Sequence, residues 1–386
     1  MDIAPRAVAT IDLDRLARNL ARIRARVGPD VSVLGVVKAD AYGHGMEAVA
    51  RRLVREGVWG LGVSSPSEGE FLRSRGIDAP ILVLAGARPD EARAVVGHRL
   101  TAMVDNADEA KALAAAARTA GVPARIHVKV DTGMGRLGLL PDELVPFLRF
   151  VAELGGLEVE GLMSHLSVSE DPSPEGRGFT SRQLALFDAK LDEARAAGFA
   201  LPFTHVANSG GALYHPIGRH NLVRPGLALY GVHPGRPEAS GLDLEPVMEV
   251  RATVLRVREL PAGSTVSYRR LYVTERPTRL AVLAIGYADG VPVLLSNRGE
   301  LTVGGARRPI RGAVTMDMTL VDVTDAPHVK PGDEAILFGH GAGVPSVAEV
   351  AALASTIPYE MLCSIGPRVK RIHAEHPAQA ARSAHE

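Results

Sequence analysis

Short β-branched runs alternate with segments of helical period from Val31 to Gly231. The strand-like runs begin with VSVLGVVKA from Val31, WGLGVSS from Trp59, PILVLAG from Pro80 and LTAMVDN from Leu100. ARIHVKVDTG from Ala124, EVEGLMSHL from Glu158, FTHVAN from Phe203 and NLVRPGLALYG from Asn221 complete a set of eight. Most are separated by amphipathic stretches. ADEAKALAAAARTAG is rich in strong helix formers and ends on glycine, a common stop. SRQLALFDAKLDEARAAG starts on Ser181 and also ends on glycine. SPSEGEFLRSRG offers Ser67 and Glu70 as a capping box. Eight strand–helix units in succession predict an α/β architecture, a (β/α)8 barrel of the TIM type. A doubly wound open sheet is the alternative.

The pattern changes after Gly231. HPGRPEASGLDLEP is polar and rich in Gly and Pro, as linkers are. Beyond it VMEVRATVLRVREL, RLAVLAIGYA, ELTVGG, TLVDVTD and EAILFG read as strands joined by turns, with few helices before SVAEVAALAST. The expected domains are a barrel over 1–235 and a smaller, mainly β domain over 236–386. The terminal AEHPAQAARSAHE is polar, and fraying is expected there.

A chain of 386 residues suits this division into one large and one smaller domain. Lys plus Arg and Asp plus Glu number 44 each, so neither a nucleic-acid nor a membrane partner is expected. No apolar run approaches the ~20 residues of a membrane span. MDIAPRAVATIDLDRLARNL carries acids where a signal peptide is apolar. The single cysteine, Cys363, rules out an intrachain disulfide, and a cytoplasmic protein is the expectation. Cys363 lies in an apolar, strand-like stretch, so a buried and slowly reacting thiol is expected.

Candidate chemistry gathers at the C-terminal ends of the strands, where barrels of this kind carry their sites. Lys38 ends the first run and Tyr42 follows it, within VVKADAYGHG. Lys129 and Asp131 end the fifth, and Arg136 sits in the glycine-rich loop beyond. His165 ends the sixth, Asn208 and Ser209 follow the seventh beside Gly210 and Gly211, and Arg224 lies in the eighth. Each has a plainer explanation. Lys38 can be a snorkelling lysine, and Lys129 can form a structural ion pair. His165 can be a hydrogen-bonded core histidine, Arg224 can pair with an acid, and SGG can be an ordinary turn. Packing alone does not explain five strands delivering polar groups to one rim. NSGG at a helix start offers backbone N–H groups to a phosphate. A lysine in an apolar setting can lose its proton and act as a nucleophile. Lysine, phosphate cradle and a charged partner for a ring nitrogen are what pyridoxal 5'-phosphate needs. With no Walker sequence, dinucleotide fingerprint, HExxH or paired CxxC, no metal is expected.

VVKADAYGHG resembles the pyridoxal-phosphate attachment motif of bacterial alanine racemases. VKVDTGMGRLG, MSHL, ANSGG, VRPGLALYG, TVSYRRLY, GYADG, VTMDMTLVDVT and TIPYEMLCSIGPRV also resemble that family's blocks, in order. They run from about Lys38 to Val369, nearly the whole chain. The resemblance implies an N-terminal barrel, a C-terminal β domain and a homodimer whose active sites are shared between chains. It implies that Lys38 attaches the cofactor. Tyr42 and Ser209 would hold the phosphate, with backbone near Gly226 and with Tyr359. Arg224 would face the pyridine nitrogen, and His165 would link it to a catalytic Tyr268 from the partner chain. Arg136 would hold the substrate carboxylate, and Lys129 matches a lysine that is carbamylated in many members. Met316 and Asp317 would help bind substrate, and Tyr287 would narrow the entrance.

The implied activity is interconversion of L- and D-alanine, feeding peptidoglycan. A racemase of wider specificity, including serine, is the close alternative. A non-catalytic pyridoxal-phosphate-binding barrel and a related decarboxylase are the rivals from other classes. TVSY and the second domain speak against the former. Three departures from the family bear on the access corridor: Thr315 where cysteine is usual, Arg269 where glycine is common, and Val293 where arginine is often found.

Overall fold

The computed structural model describes residues 4–216 and 220–375. Most of the tail expected to fray, from 376 on, lies outside the described residues.

The first strand, β1 (Ala7–Asp12), does not join the barrel. Eight others do. They are β2 (Ser32–Val36), β3 (Gly60–Val63), β4 (Ile81–Val83), β5 (Thr101–Val104), β6 (Ala124–Lys129), β7 (Leu157–Met163), β8 (Phe203–His205) and β9 (Leu222–Val223). All pairs are parallel, in the order β8-β7-β6-β5-β4-β3-β2-β9. The Asn221 N–H donates to Thr204 O (3.2 Å) and the Arg224 N–H to Ala207 O (2.9 Å), which nearly closes the ring. A doubly wound sheet reverses its strand order at a switch point, and this one does not. The barrel expectation therefore holds.

Several helices carry side-chain caps, with two shifts from expectation. Ala107–Ala120 is capped by the Asn106 side chain and stopped by Gly121 at φ 71°. The long helix starts at Pro174, well before Ser181, because Ser173 caps it and Pro174 suits the first helical position. Pro66–Ser74 is capped by Ser65, whose hydroxyl accepts from the Glu68 N–H, so the cap lies two residues before the expected Ser67 and the Glu68 carboxylate turns to the Ser64 and Ala39 N–H groups. That displacement frees Glu68 for the site.

The second domain contains β10 (Met248–Leu260), β11 (Thr265–Val266), β12 (Tyr272–Val273), β13 (Thr278–Leu283) and β14 (Glu300–Val303). β15 (Ala306–Pro309), β16 (Thr319–Asp322), β17 (Glu334–Phe338) and β18 (Lys370–Ala374) follow. Its main sheet runs β15-β14-β17-β10-β1-β18, with β13 bridging β10 and β16. β1 lies inside this sheet, antiparallel to β10 and parallel to β18. No strand was expected before Val31. AVATID has the alternating burial of a half-buried strand, but its partners lie at the other end of the chain. The Gly- and Pro-rich linker is pinned to the first helix, Leu13–Val27. Arg18 and Arg22 pair with Glu245, and the Asn19 side chain bonds the Glu245 backbone at both its N–H and its carbonyl.

Candidate active site

Lys38 emerges just past β2 and is followed by an unusual turn. Ala39, Asp40, Ala41 and Tyr42 all have φ between 52° and 55°, a left-handed turn without a glycine. Each such residue costs about 1–2 kcal/mol, so the surroundings must hold it. Glu68 Oε1 accepts from the Ala39 N–H (2.7 Å) and Oε2 from the Ser64 N–H (2.6 Å). Asp40 Oδ1 accepts from the Met46 N–H (2.7 Å). His44 Nδ1 lies 2.9 Å from both the Ala41 and Tyr42 carbonyls, and two acceptors put its proton there. Full burial keeps that ring neutral, with a pKa of about 4. Gly43, at φ 76°, allows a close approach: a Cβ there would overlap the Leu362 carbonyl of the second domain. The turn sets the Tyr42 ring 5.0 Å from Tyr230 and 5.8 Å from Tyr359. Glu68 was missed in the sequence, although Ser65–Glu68 fits the capping pattern as well as Ser67–Glu70 does.

The other barrel residues converge on the same mouth. Burial pushes the Lys38 pKa down, and Arg136 and Arg224 add to this against the pull of Glu68. Lys129 is buried, and desolvation with Arg224 and Arg136 lowers its pKa to about 8. Asp131 spends its carboxylate on the N–H groups of Gly133, Met134 and Gly135, which orders the loop carrying Arg136. Arg224 is buried. Its Nη1 reaches His205 Nδ1 (2.8 Å) and the His205 carbonyl (3.0 Å). Its Nη2 reaches the Ser164 and Val206 carbonyls and His165 Nδ1 (3.1 Å). Burial and the Arg224 charge pull the His165 pKa to about 2. Ser209 Oγ accepts from the N–H groups of Gly226 (3.0 Å) and Ala228 (3.2 Å). Asn208 caps the turn Ser209–Tyr214 through the Gly211 N–H. A Cβ on Gly226 would lie 2.5 Å from the Tyr42 hydroxyl, so only glycine leaves that space open.

Tyr268, Tyr287, Met316 and Asp317 form a second group, in the β domain. Tyr268 is 72% exposed, in a loop where Ser267, Arg269 and Arg270 all have positive φ. Ser267 Oγ anchors this loop on Ala313 O (2.8 Å). The Tyr287 N–H bonds Thr315 O (2.9 Å), and Arg368 bonds the Asp317 carboxylate (2.8 Å). Among the described residues, no hydrogen bond, ion pair or ring contact joins this group to Lys38, Arg136, His165 or Arg224. Tyr359 is different: it reaches the Lys38 mouth from the β domain of its own chain. Cys363 corrects the expectation of a buried, strand-like position, because it ends the helix Pro358–Cys363 and is exposed, while desolvation still pushes its thiol pKa up.

A nearly closed barrel with an amine, two guanidiniums and a glycine-lined recess at its C-terminal mouth defines an α/β-barrel enzyme with a companion β domain. The alanine racemase N-terminal domain model matches residues 11–234, and the C-terminal domain model matches 247–373. Alanine racemase from Symbiobacterium thermophilum is 40% identical, over 96% of this chain and 97% of that protein. The one from Halothermothrix orenii is 38% identical, over 94% and 95%. Among solved structures, the alanine racemase of D-cycloserine-producing Streptomyces lavendulae has a TM-score of 0.90 at 36% identity, covering 97% of this chain and 99% of that one. The chain belongs to the alanine racemase family and is an enzyme of that family.

Proposed function

We propose that the protein interconverts L- and D-alanine with pyridoxal 5'-phosphate and two bases, Lys38 and Tyr268. The observation that carries this is the Lys38 amine, whose charged form is disfavoured by burial and by Arg136 in the mouth shared with Arg224. An amine so placed can take up a proton. The cofactor, when bound, supplies an electron sink for the α-carbon. The residues present fit it. Lys38 is its attachment point. Tyr42, Ser209, Tyr359 and the backbone at Gly226 hold its phosphate, in the recess that a Cβ on Gly226 would fill. Arg224, a donor-only cation, faces the ring nitrogen and keeps it unprotonated. That restrains side reactions such as transamination.

Arg136 holds the substrate carboxylate. With a pKa of about 8, Lys129 is partly uncharged near neutral pH and open to carbamylation. The resulting anion would orient Arg136. Tyr268 comes from a second copy in a homodimer, and Met316, Asp317 and Tyr287 come with it. Supporting this, Tyr268, Leu271, Tyr287, Val293, Leu294 and Met316 are exposed large side chains on the β domain. Lys38 serves D-alanine and Tyr268 serves L-alanine, one base per face. Arg224 donates to His165 Nδ1, so the His165 proton sits on Nε2 and can be donated to the Tyr268 oxygen. D-alanine for peptidoglycan, made in the cytoplasm, is the product. An absorbance spectrum with a chiral assay on alanine, serine and lysine tests the proposal. Alanine left unracemised by cofactor-loaded protein overturns it, and turnover of serine at a comparable rate favours the broad-specificity form.

A further inference from the structure

Arg224 carries a positive charge into the barrel interior, yet its recorded partners are carbonyl oxygens and imidazole nitrogens. Among the described residues it has no ion pair within 4 Å. Its hydrogen bonds nevertheless lead to a carboxylate. Guanidinium nitrogens only donate, so His205 Nδ1 must accept. The His205 proton is then on Nε2, which lies 2.7 Å from His127 Nδ1. His127 accepts there and carries its own proton on Nε2, which lies 3.3 Å from Glu160 Oε2. One donor-only group at one end thus dictates both tautomers. The order along the chain is Arg224, His205, His127, Glu160.

The surroundings are built for this arrangement. Both imidazoles are fully buried, and burial holds each pKa below its ordinary value. Phe203 stacks on His127 at 14°, and Trp59 packs against Phe203. A Cβ on Gly161 would lie 2.8 Å from His127 Nδ1, so the glycine beside Glu160 is what admits the ring. Glu160 keeps 16% exposure and has Arg125 as its other charged neighbour. Lys38, Lys129 and Arg136 add positive charge around His165, at the opposite end.

We propose that Glu160 is a positioning residue, the remote counter-ion of Arg224, coupled to it through the neutral imidazoles of His127 and His205. The role of Arg224 at the ring nitrogen rests on the function proposed above; the hydrogen-bonded chain itself does not. Two arms keep the two apart. The first is nitrogen NMR of isotope-labelled histidine in the full-length protein as purified. The expected result is His127 and His205 neutral, each protonated only at Nε2. A doubly protonated His127, or a proton on His205 Nδ1, overturns the proposal without any variant being made.

The second arm follows the absorbance of the bound cofactor against pH in Glu160→Gln, which keeps an acceptor for His127 but loses the charge. Removing an anion should move the titration midpoint to lower pH, by roughly half a unit or more. Glu160→Asp should leave it near the original value. An unchanged midpoint in Glu160→Gln of unaltered melting temperature overturns the counter-ion role. If the original protein shows no cofactor absorbance, it is the proposed function that fails, and the tautomers alone decide the relay.

Discussion

Glu68→Ala isolates the support of the left-handed turn between Lys38 and Tyr42. Four left-handed residues at about 1–2 kcal/mol each store roughly 4–8 kcal/mol. Glu68 contributes two N–H to carboxylate bonds, to Ala39 and Ser64. Bonds to a charged acceptor are worth about 1.5–3 kcal/mol each, and the exposed Ala39 bond belongs at the low end. Losing both should cost about 3–4.5 kcal/mol of stability, read by urea unfolding at fixed cofactor concentration. Asp40 and His44 still clamp the far end of the turn, so the near end should relax first and misplace Tyr42. Cofactor affinity should then fall about tenfold, since ~1.4 kcal/mol corresponds to that factor. Glu68→Gln keeps one acceptor oxygen and should fall between the two proteins. Stability within about 0.5 kcal/mol of the original, together with unchanged cofactor affinity, would refute the view that Glu68 holds the turn.

Four further outcomes are expected. Mixing inactive Lys38→Ala and Tyr268→Phe chains should restore about a quarter of native activity once subunits exchange, because each mixed dimer has one intact site; no recovery despite proven exchange would place the site within one chain. In Tyr268→Phe, deuterium wash-in at the α-carbon of L-alanine should collapse while that of D-alanine survives, and equal loss from both would sink the division of labour. Burial raises the Glu109 pKa from 4.5 to about 7, so its protonated form is favoured in the folded state. Stability through this group is full below about pH 4.5 and is lost as pH rises to about 7, by about 3 kcal/mol; Glu109→Gln should flatten melting temperature against pH over that window, and an unchanged profile contradicts this. Arg269 stands at φ 60°, so Arg269→Gly should add up to about 1 kcal/mol of stability, seen as a higher urea midpoint at constant slope; a lowered midpoint argues that the arginine makes a compensating contact.

The barrel and Lys38 were legible in the sequence because both rest on local signals. A strand of the barrel announces itself by a short β-branched run, and a charge that ends such a run is visible without knowing the neighbours. Glycine and asparagine caps are likewise written within a few residues. The resemblance of ordered blocks named Tyr268, Arg136 and Tyr287 as candidates, which spacing alone could not. What the sequence did not disclose depends on strands brought side by side. β1 reads as six unremarkable residues until β10 and β18 flank it. Cys363 sits in an apolar stretch, yet it ends a helix in which Met361 and Leu362 take the buried positions and leave the cysteine exposed. His127 and His205 are 78 residues apart and His127 and Glu160 are 33 apart, so no local period links them. Only the parallel neighbours β6, β7 and β8 bring the three onto one line. The same holds for the split between Lys38 and Tyr268. Which side chains share a mouth is decided by long-range packing, which local periodicity does not encode.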